Sequence, residues 1–324
     1  MLKSIFNILR FLPFYLKLYS DYRRILKYTN NLLSSVQKKF KNWDSLIDLQ
    51  NQRRMRSYIL IQTLWTAGFC LLRGDRIKNN EIKAIVNISA LAPLYDDFFD
   101  KIQVSSQKII AIVNTPFEYK SDSEIELICL EFSKRIHKHV SDISCVLEYA
   151  EAVFDAQNES RKLVSDSLLE RDLVKKIAFN KGGATVICMC NMLNKKLSIQ
   201  EEKLMYQLGG VAQYLDDIFD LREDYLEGRQ TLANPIHNAA FLKKSFLKEV
   251  EKFKEQLKSS TYSKSNQLAF LIPVSYMLGA TLLCTRRYEL LEYKTNGEFK
   301  IEEYSRDELV LDMDKWLNKL KAFK

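Results

Sequence analysis

Two short stretches concentrate acid in apolar surroundings: Asp96, Asp97 and Asp100 in LAPLYDDFFD, and Asp216, Asp217 and Asp220 in GGVAQYLDDIFD. On a helix, carboxylates one and four residues apart crowd one side, and like charges at i and i+4 destabilise it by about 0.2–0.5 kcal/mol per pair. Aspartate is also a poor interior helix former. A shared cation removes the conflict. Mg²⁺ takes oxygen ligands in near-octahedral geometry, usually one or two carboxylates completed by water and substrate phosphates. Two such stripes therefore point to a diphosphate held on metal ions. Asp224 extends the second stripe, because Asp216, Asp220 and Asp224 stand at i, i+4 and i+8 on one helical face. Asp97 and Asp217 lie about 100° around from it, which weakens them as direct ligands.

The elements that must carry these residues are helices. From Gln200 onward, Leu204, Leu208, Val211, Ala212, Leu215, Ile218 and Phe219 recur at three- and four-residue spacing, which predicts an amphipathic helix through the second motif. Gln213 and Asp216 share a face with Asp220. Similar periodicity runs through residues 54–72, 82–100, 124–156, 160–194, 240–257, 265–292 and 303–320, and no stretch alternates with period two. The expected fold is an all-α bundle of roughly ten to twelve helices, with both motifs on long internal ones. The paired Gly182 and Gly183 in IAFNKGGATVICMC predict a kink or local break whose exposed backbone dipoles could act on a bound molecule.

Composition agrees. The chain has 324 residues, 47% of them hydrophobic, and its 9 Gly and 5 Pro are spread without a linker between halves, so one large domain is expected over residues 41–324. Ahead of it lies a basic, apolar helical segment at residues 1–40. The six cysteines show no CxxC pair and no His-rich metal spacing, which argues against a disulfide framework or zinc site and fits a reducing cytoplasm. His137, His139 and His237 are too scattered for a nucleophilic triad.

Of the net charge of +8, residues 1–60 carry +9 and the rest −1. The opening MLKSIFNILRFLPFYLKLY is broken by Lys3, Arg10, Pro13 and Lys17, too often for a membrane span, and lacks a signal-peptide cleavage site. Such a helix either rests on an anionic membrane or packs on the body of the protein. No nucleic-acid recognition module is visible.

The block GGVAQYLDDIFDLREDYLEGRQTLAN resembles the second aspartate-rich region of trans-prenyltransferases, with Gly209, Gln213, Asp216, Asp217, Asp220, Asp224 and Gly228 in matching places. Asp96, Asp97 and Asp100 match the DDxxD motif of the same superfamily, the all-α class I isoprenoid synthases, and the 120 residues from Asp96 to Asp216 are of its usual order. The resemblance implies a single-domain helical bundle with its active-site cavity between two Asp-rich helices. It also implies Mg²⁺, three ions per site, with ligands from Asp96, Asp97 and Asp100 and from Asp216, Asp220 and Asp224, clamping a prenyl diphosphate. QRRMRSYILI is similar to the basic segment that contacts homoallylic diphosphate in elongating enzymes, through Arg53, Arg54 and Arg56. Lys181 sits where those enzymes carry a diphosphate-contacting lysine. Arg286, Arg287 and Tyr288 in YMLGATLLCTRRYEL resemble the Arg and Tyr pair with which bacterial terpene synthases hold the departing diphosphate, and Arg171 the upstream diphosphate sensor. Gln213, Asp217 and Phe99 are expected at the substrate. Relatives are often dimers.

Departures from the pattern narrow the expectation. Elongating enzymes place two arginines after the first motif, whereas KIQVSSQ follows Asp100 here. Leu91, Ala92 and Ala212 stand where bulkier residues are common, which leaves a deeper pocket and suggests a prenyl chain of about twenty carbons or more, each buried methylene contributing roughly 0.8 kcal/mol. The expected activity is that of a terpene synthase that ionises an allylic diphosphate, with Tyr95, Phe98, Phe99, Phe179, Tyr214 and Phe219 near the motifs as core or as cavity lining. Chain elongation, head-to-head condensation of the squalene or phytoene kind, and an inactive regulatory protein of the same fold stay open.

Overall fold

Short polar side chains start the helices. Asp48 accepts from the Asn51 amide, Ser123 from Glu126, Asn238 from Phe241 and Ser263 from Asn266. Ser198 and Glu201 cap each other's backbone reciprocally, as do Ser305 and Glu308. The structure, a computed structural model, describes residues 2–97, 105–236, 238–313, 315, 318 and 321–322, with side chains described from residue 12 onward except those of 96 and 106. Helix accounts for 77% of it, and no strand forms among the described residues. The chain is all-α.

In chain order the helices are α1 (Leu2–Lys39), α2 (Trp43–Leu46), α3 (Leu49–Leu72), α4 (Asn79–Asp97), α5 (Ser106–Asn114), α6 (Glu124–His139), α7 (Ile143–Ser160), α8 (Arg171–Asn191), α9 (Ile199–Phe219), α10 (Leu221–Leu226), α11 (Ala239–Lys258), α12 (Lys264–Lys294) and α13 (Arg306–Leu309). Several periodic runs are divided where periodicity gives no warning. The run over 124–156 is two helices, because Val140 turns extended at the end of α6 and Asp142 accepts from the Cys145 amide where α7 begins. The run over 160–194 holds a 3-10 turn at Arg161–Leu163 and then α8. Of 303–320, the described residues form a single α-helical turn, Arg306–Leu309.

The chain forms two compact units. The first comprises residues 1–148, 189–196 and 268–270. In it α3 and α4 pack together, α6 lies on α4, and α1 lies on both α3 and α4. Ile59, Leu72, Ile85, Val86, Ile128 and Phe132 are fully buried there. Asp21 is also fully buried, and its Oδ1 receives Arg24 at 2.8 Å and Arg76 at 2.6 Å, so two guanidinium groups offset one desolvated carboxylate. The segment predicted at 1–40 is thus α1, tied into this unit by its second half.

The second unit comprises residues 149–188, 197–267 and 271–324. Here α11 packs on α9 and α10 touches both α9 and α13. Phe246, Phe253, Val211, Ile218 and Leu221 are fully buried. α12 is long and apolar enough to cross a membrane by length and composition, but half of its most apolar window is buried in the fold, as in the core helix of a packed protein.

Candidate functional site

The second acidic motif stands where α9 ends. Asp220 closes α9 with φ −93° and ψ 11°, and α10 resumes at Leu221, so the single continuous helix expected through the motif is two. The register survives the joint. The Asp220 amide donates to the Asp216 carbonyl at 2.9 Å and the Asp224 amide to the Asp220 carbonyl at 2.8 Å, which keeps the three residues one turn apart. Asp216 and Asp220 are exposed, whereas Asp217 and Asp224 are buried.

Asp217 points inward and is used up there. Its Oδ2 accepts from the Leu232 amide at 2.9 Å and its Oδ1 from Gln213 Nε2, also at 2.9 Å. Gln213 reaches Asp216 Oδ2 as well, at 3.5 Å. The carboxylate therefore pins the segment 229–234 against α9. Gln230 holds that segment from its other side, donating to the Ser165 and Ser167 carbonyls and accepting from the Leu169 amide. Arg171, at the start of α8, donates to the Leu232 carbonyl at 3.1 Å and covers the Phe241 ring. Arg229, which no helical spacing singles out, lies 3.8 Å from Asp224 Oδ1. Its place in GRQTLAN, inside the matched block, was the available signal.

Burial, and then mutual crowding, govern the protonation of these acids. Burial pushes Asp224 up to about 8, with Asp217 and Asp216 adding repulsion against the opposing pull of Arg229. Burial among surrounding protein atoms also raises Asp220 to about 8, together with the charges of Asp216, Asp224, Glu223 and Asp217. Part of the Asp220 surface stays open to water, so the neighbouring carboxylates are the cause that persists in solution. Asp217 rises to about 6 by burial, moderated by Gln213, the Leu232 amide and Lys181.

Lys181 owes its position to the glycine pair that follows it. A Cβ on Gly182 would lie 2.1 Å from the Gly209 carbonyl oxygen, and one on Gly209 would lie 2.2 Å from the Gly182 oxygen. The backbones of α8 and α9 touch there. The break expected at Gly182 and Gly183 is absent, since α8 runs through both. These glycines permit close helix packing, which Tyr206 secures by donating to Asn180 Oδ1 at 2.7 Å.

No family model matches the chain, and no curated protein does. The site therefore rests on its own geometry. Within the second unit the structure gathers Lys181, Gln213, Asp216, Asp217, Asp220, Asp224 and Arg171 around the end of α9 and the segment it holds.

The arginine pair and tyrosine of α12 diverge. The helix continues to Lys294, so Arg286, Arg287 and Tyr288 sit within it, about 100° apart, and do not end it. Tyr288 is buried and donates to the Ile218 carbonyl at 2.7 Å, fixing α12 to the last turn of α9. Burial pushes its hydroxyl well above the usual tyrosine range. Arg287 donates to the backbone carbonyls of Asp307 and Val310. Arg286 is exposed. Tyr288 and Arg287 thus serve the packing around α12, and of the three residues only Arg286 presents its charge outward.

In the first unit, Arg54 Nη1 meets Asp97 Oδ1 at 2.8 Å, so the basic segment of α3 and the first acidic motif are neighbours. Arg53 is exposed and Arg56 donates to Asn30. Phe98, Phe99, Asp100 and the Asp96 side chain lie outside the described residues, as does His237. The aromatics near the motifs that are described behave largely as core. Phe179 packs on Gly210, and Tyr214 meets Phe246 edge-on at 5.6 Å.

Carboxylate oxygens alone make up the second stripe, the donor set that a hard divalent cation selects. Among the described residues, no three His, Cys, Asp or Glu side chains are gathered closely enough to hold an ion as they stand. The donor chemistry nonetheless suits Mg²⁺, because a cation would offset both the burial and the repulsion that raise Asp220 and Asp224.

Proposed function

We propose that the chain is a Mg²⁺-dependent terpene synthase with the helical fold of the class I isoprenoid synthases, acting on an allylic prenyl diphosphate of about twenty carbons or more. The observation that carries this is the stripe of Asp216, Asp220 and Asp224, kept one turn apart by backbone bonds across the joint between α9 and α10. A protein stabilised only by packing gains nothing from such repulsion, whereas a ligand with cations does. Asp216, Asp220 and Asp224 would hold Mg²⁺, and by the family pattern Asp96, Asp97 and Asp100 would supply the remaining ligands. When bound, the metal neutralises the diphosphate and makes it a better leaving group.

The protein's own side chains do the rest. Lys181 and Arg229 bring positive charge beside the acids, where diphosphate oxygens would meet it. Gln213 orients Asp216, and Asp217 holds the segment 229–234 in place through the Leu232 amide. Buried Phe179 and Tyr214 help keep water from the region behind the motif.

Chain elongation is the second reading, favoured by the contact of Arg54 with Asp97, which sets a basic helix beside the first motif. Incubation with prenyl diphosphates of about ten to thirty carbons, with Mg²⁺ and with or without isopentenyl diphosphate, separates the two when products are resolved by gas chromatography. A hydrocarbon or alcohol from one substrate is expected. A longer diphosphate would favour elongation, and doubled carbon count would favour head-to-head joining. Absence of Mg²⁺-dependent diphosphate release at every chain length would contradict an enzyme of this class.

A further inference from the structure

We propose that the N-terminal part of α1 is a docking surface for an anionic lipid bilayer. Leu12, Tyr15, Leu16 and Tyr19 are 43%, 45%, 59% and 58% exposed, and their spacing at i, i+3, i+4 and i+7 aligns them in one apolar stripe. This stripe is no continuation of the side that packs. Leu18 and Ile25, which α1 buries in the first unit, fall about 120° around the helix from it. Apolar side chains that size, aligned and uncovered, mark an interaction surface.

Charge selects the partner. One and two turns beyond Tyr19, on the face of the stripe, stand the exposed Arg23 and Lys27, and residues 1–20 contain neither Asp nor Glu, so positive charge adjoins the apolar side chains. Arg23 reaches the Tyr19 hydroxyl at 3.5 Å. A second copy of the same helix would bring like charges together, whereas anionic headgroups attract them and the acyl boundary receives Leu and Tyr. Tyrosine suits that boundary, with an apolar ring and a polar tip. The proposed surface requires nothing of the proposed reaction.

The test is co-sedimentation of the full chain with vesicles of phosphatidylcholine alone or mixed with phosphatidylglycerol. Binding to the mixed vesicles is expected, falling as salt is raised. The double variant Leu16→Ser/Tyr19→Ser should partition about tenfold more weakly or worse, and Arg23→Glu about fivefold more weakly or worse. All three side chains are exposed, so the far-ultraviolet spectrum should not change. Equal partitioning of the wild type and both variants would overturn the assignment, as would failure of the wild type to sediment with mixed vesicles. A wild-type dimer that the double variant dissociates, with no vesicle binding, would overturn it in favour of self-association.

Discussion

Asp220→Ala is expected to lower Mg²⁺-dependent diphosphate release by a factor of about 10² to 10³, while making the metal-free protein more resistant to heat at pH 8. The two effects share one cause. Burial and the surrounding carboxylates raise Asp220 to about 8, against an unfolded value of about 3.9. A carboxyl held higher in the folded chain binds its proton more readily there, so its contribution to stability is complete below the unfolded value and is lost as pH rises through the folded one. In chelator, the variant's advantage in melting temperature should be near zero at about pH 4 and largest above about pH 8. A metal ligand predicts loss of activity with gain of metal-free stability. A merely structural acid predicts loss of both, and that result would remove Asp220 from the site.

The second large effect is expected at Gly209. An alanine Cβ there would stand 2.2 Å from the Gly182 oxygen and 2.7 Å from the Gly183 Cα, and backbone cannot swing aside as a flexible side chain can. α8 and α9 must then separate, at a cost of about 3 kcal/mol in a urea melt. Lys181 would move away from Asp217 with α8, so diphosphate affinity should fall as well. Gly228→Ala is the control. Its φ of +65° disfavours a side chain, but nothing lies within 4 Å, so only the backbone strain of about 1–2 kcal/mol is expected. If Gly209→Ala proved as mild as Gly228→Ala and left diphosphate affinity unchanged, the contact of the two helices would lose its assigned role.

These glycines also show where sequence reading stops. Gly182 and Gly209 lie on different helices, and only their meeting explains why each is small. Read singly, a glycine pair signals a break, and α8 has none. Apolar periodicity located α9 and α11 to within a few residues because each buries one face against the other, and α3 and α12 because long apolar runs mark them. It ran α6 into α7 because the few residues between them hardly disturb the pattern. The carboxylate stripe was legible because a helix converts spacing directly into direction. Arg287 and Tyr288 were not, since their partners, the backbone carbonyls of Val310, Asp307 and Ile218, lie in segments that spacing along α12 cannot reveal. The pairing of Arg54 with Asp97 joins two motifs noticed separately, 43 residues apart.

That the acids at the end of α9 exist to bind metal and diphosphate together is tested most directly by thermal unfolding with Mg²⁺, with inorganic diphosphate, and with both. Both ligands together should raise the melting temperature well beyond the sum of their separate effects. Asp220→Asn and Asp224→Asn should each remove that excess. An equal shift in the wild type and both variants, or no shift with the pair of ligands, would contradict it.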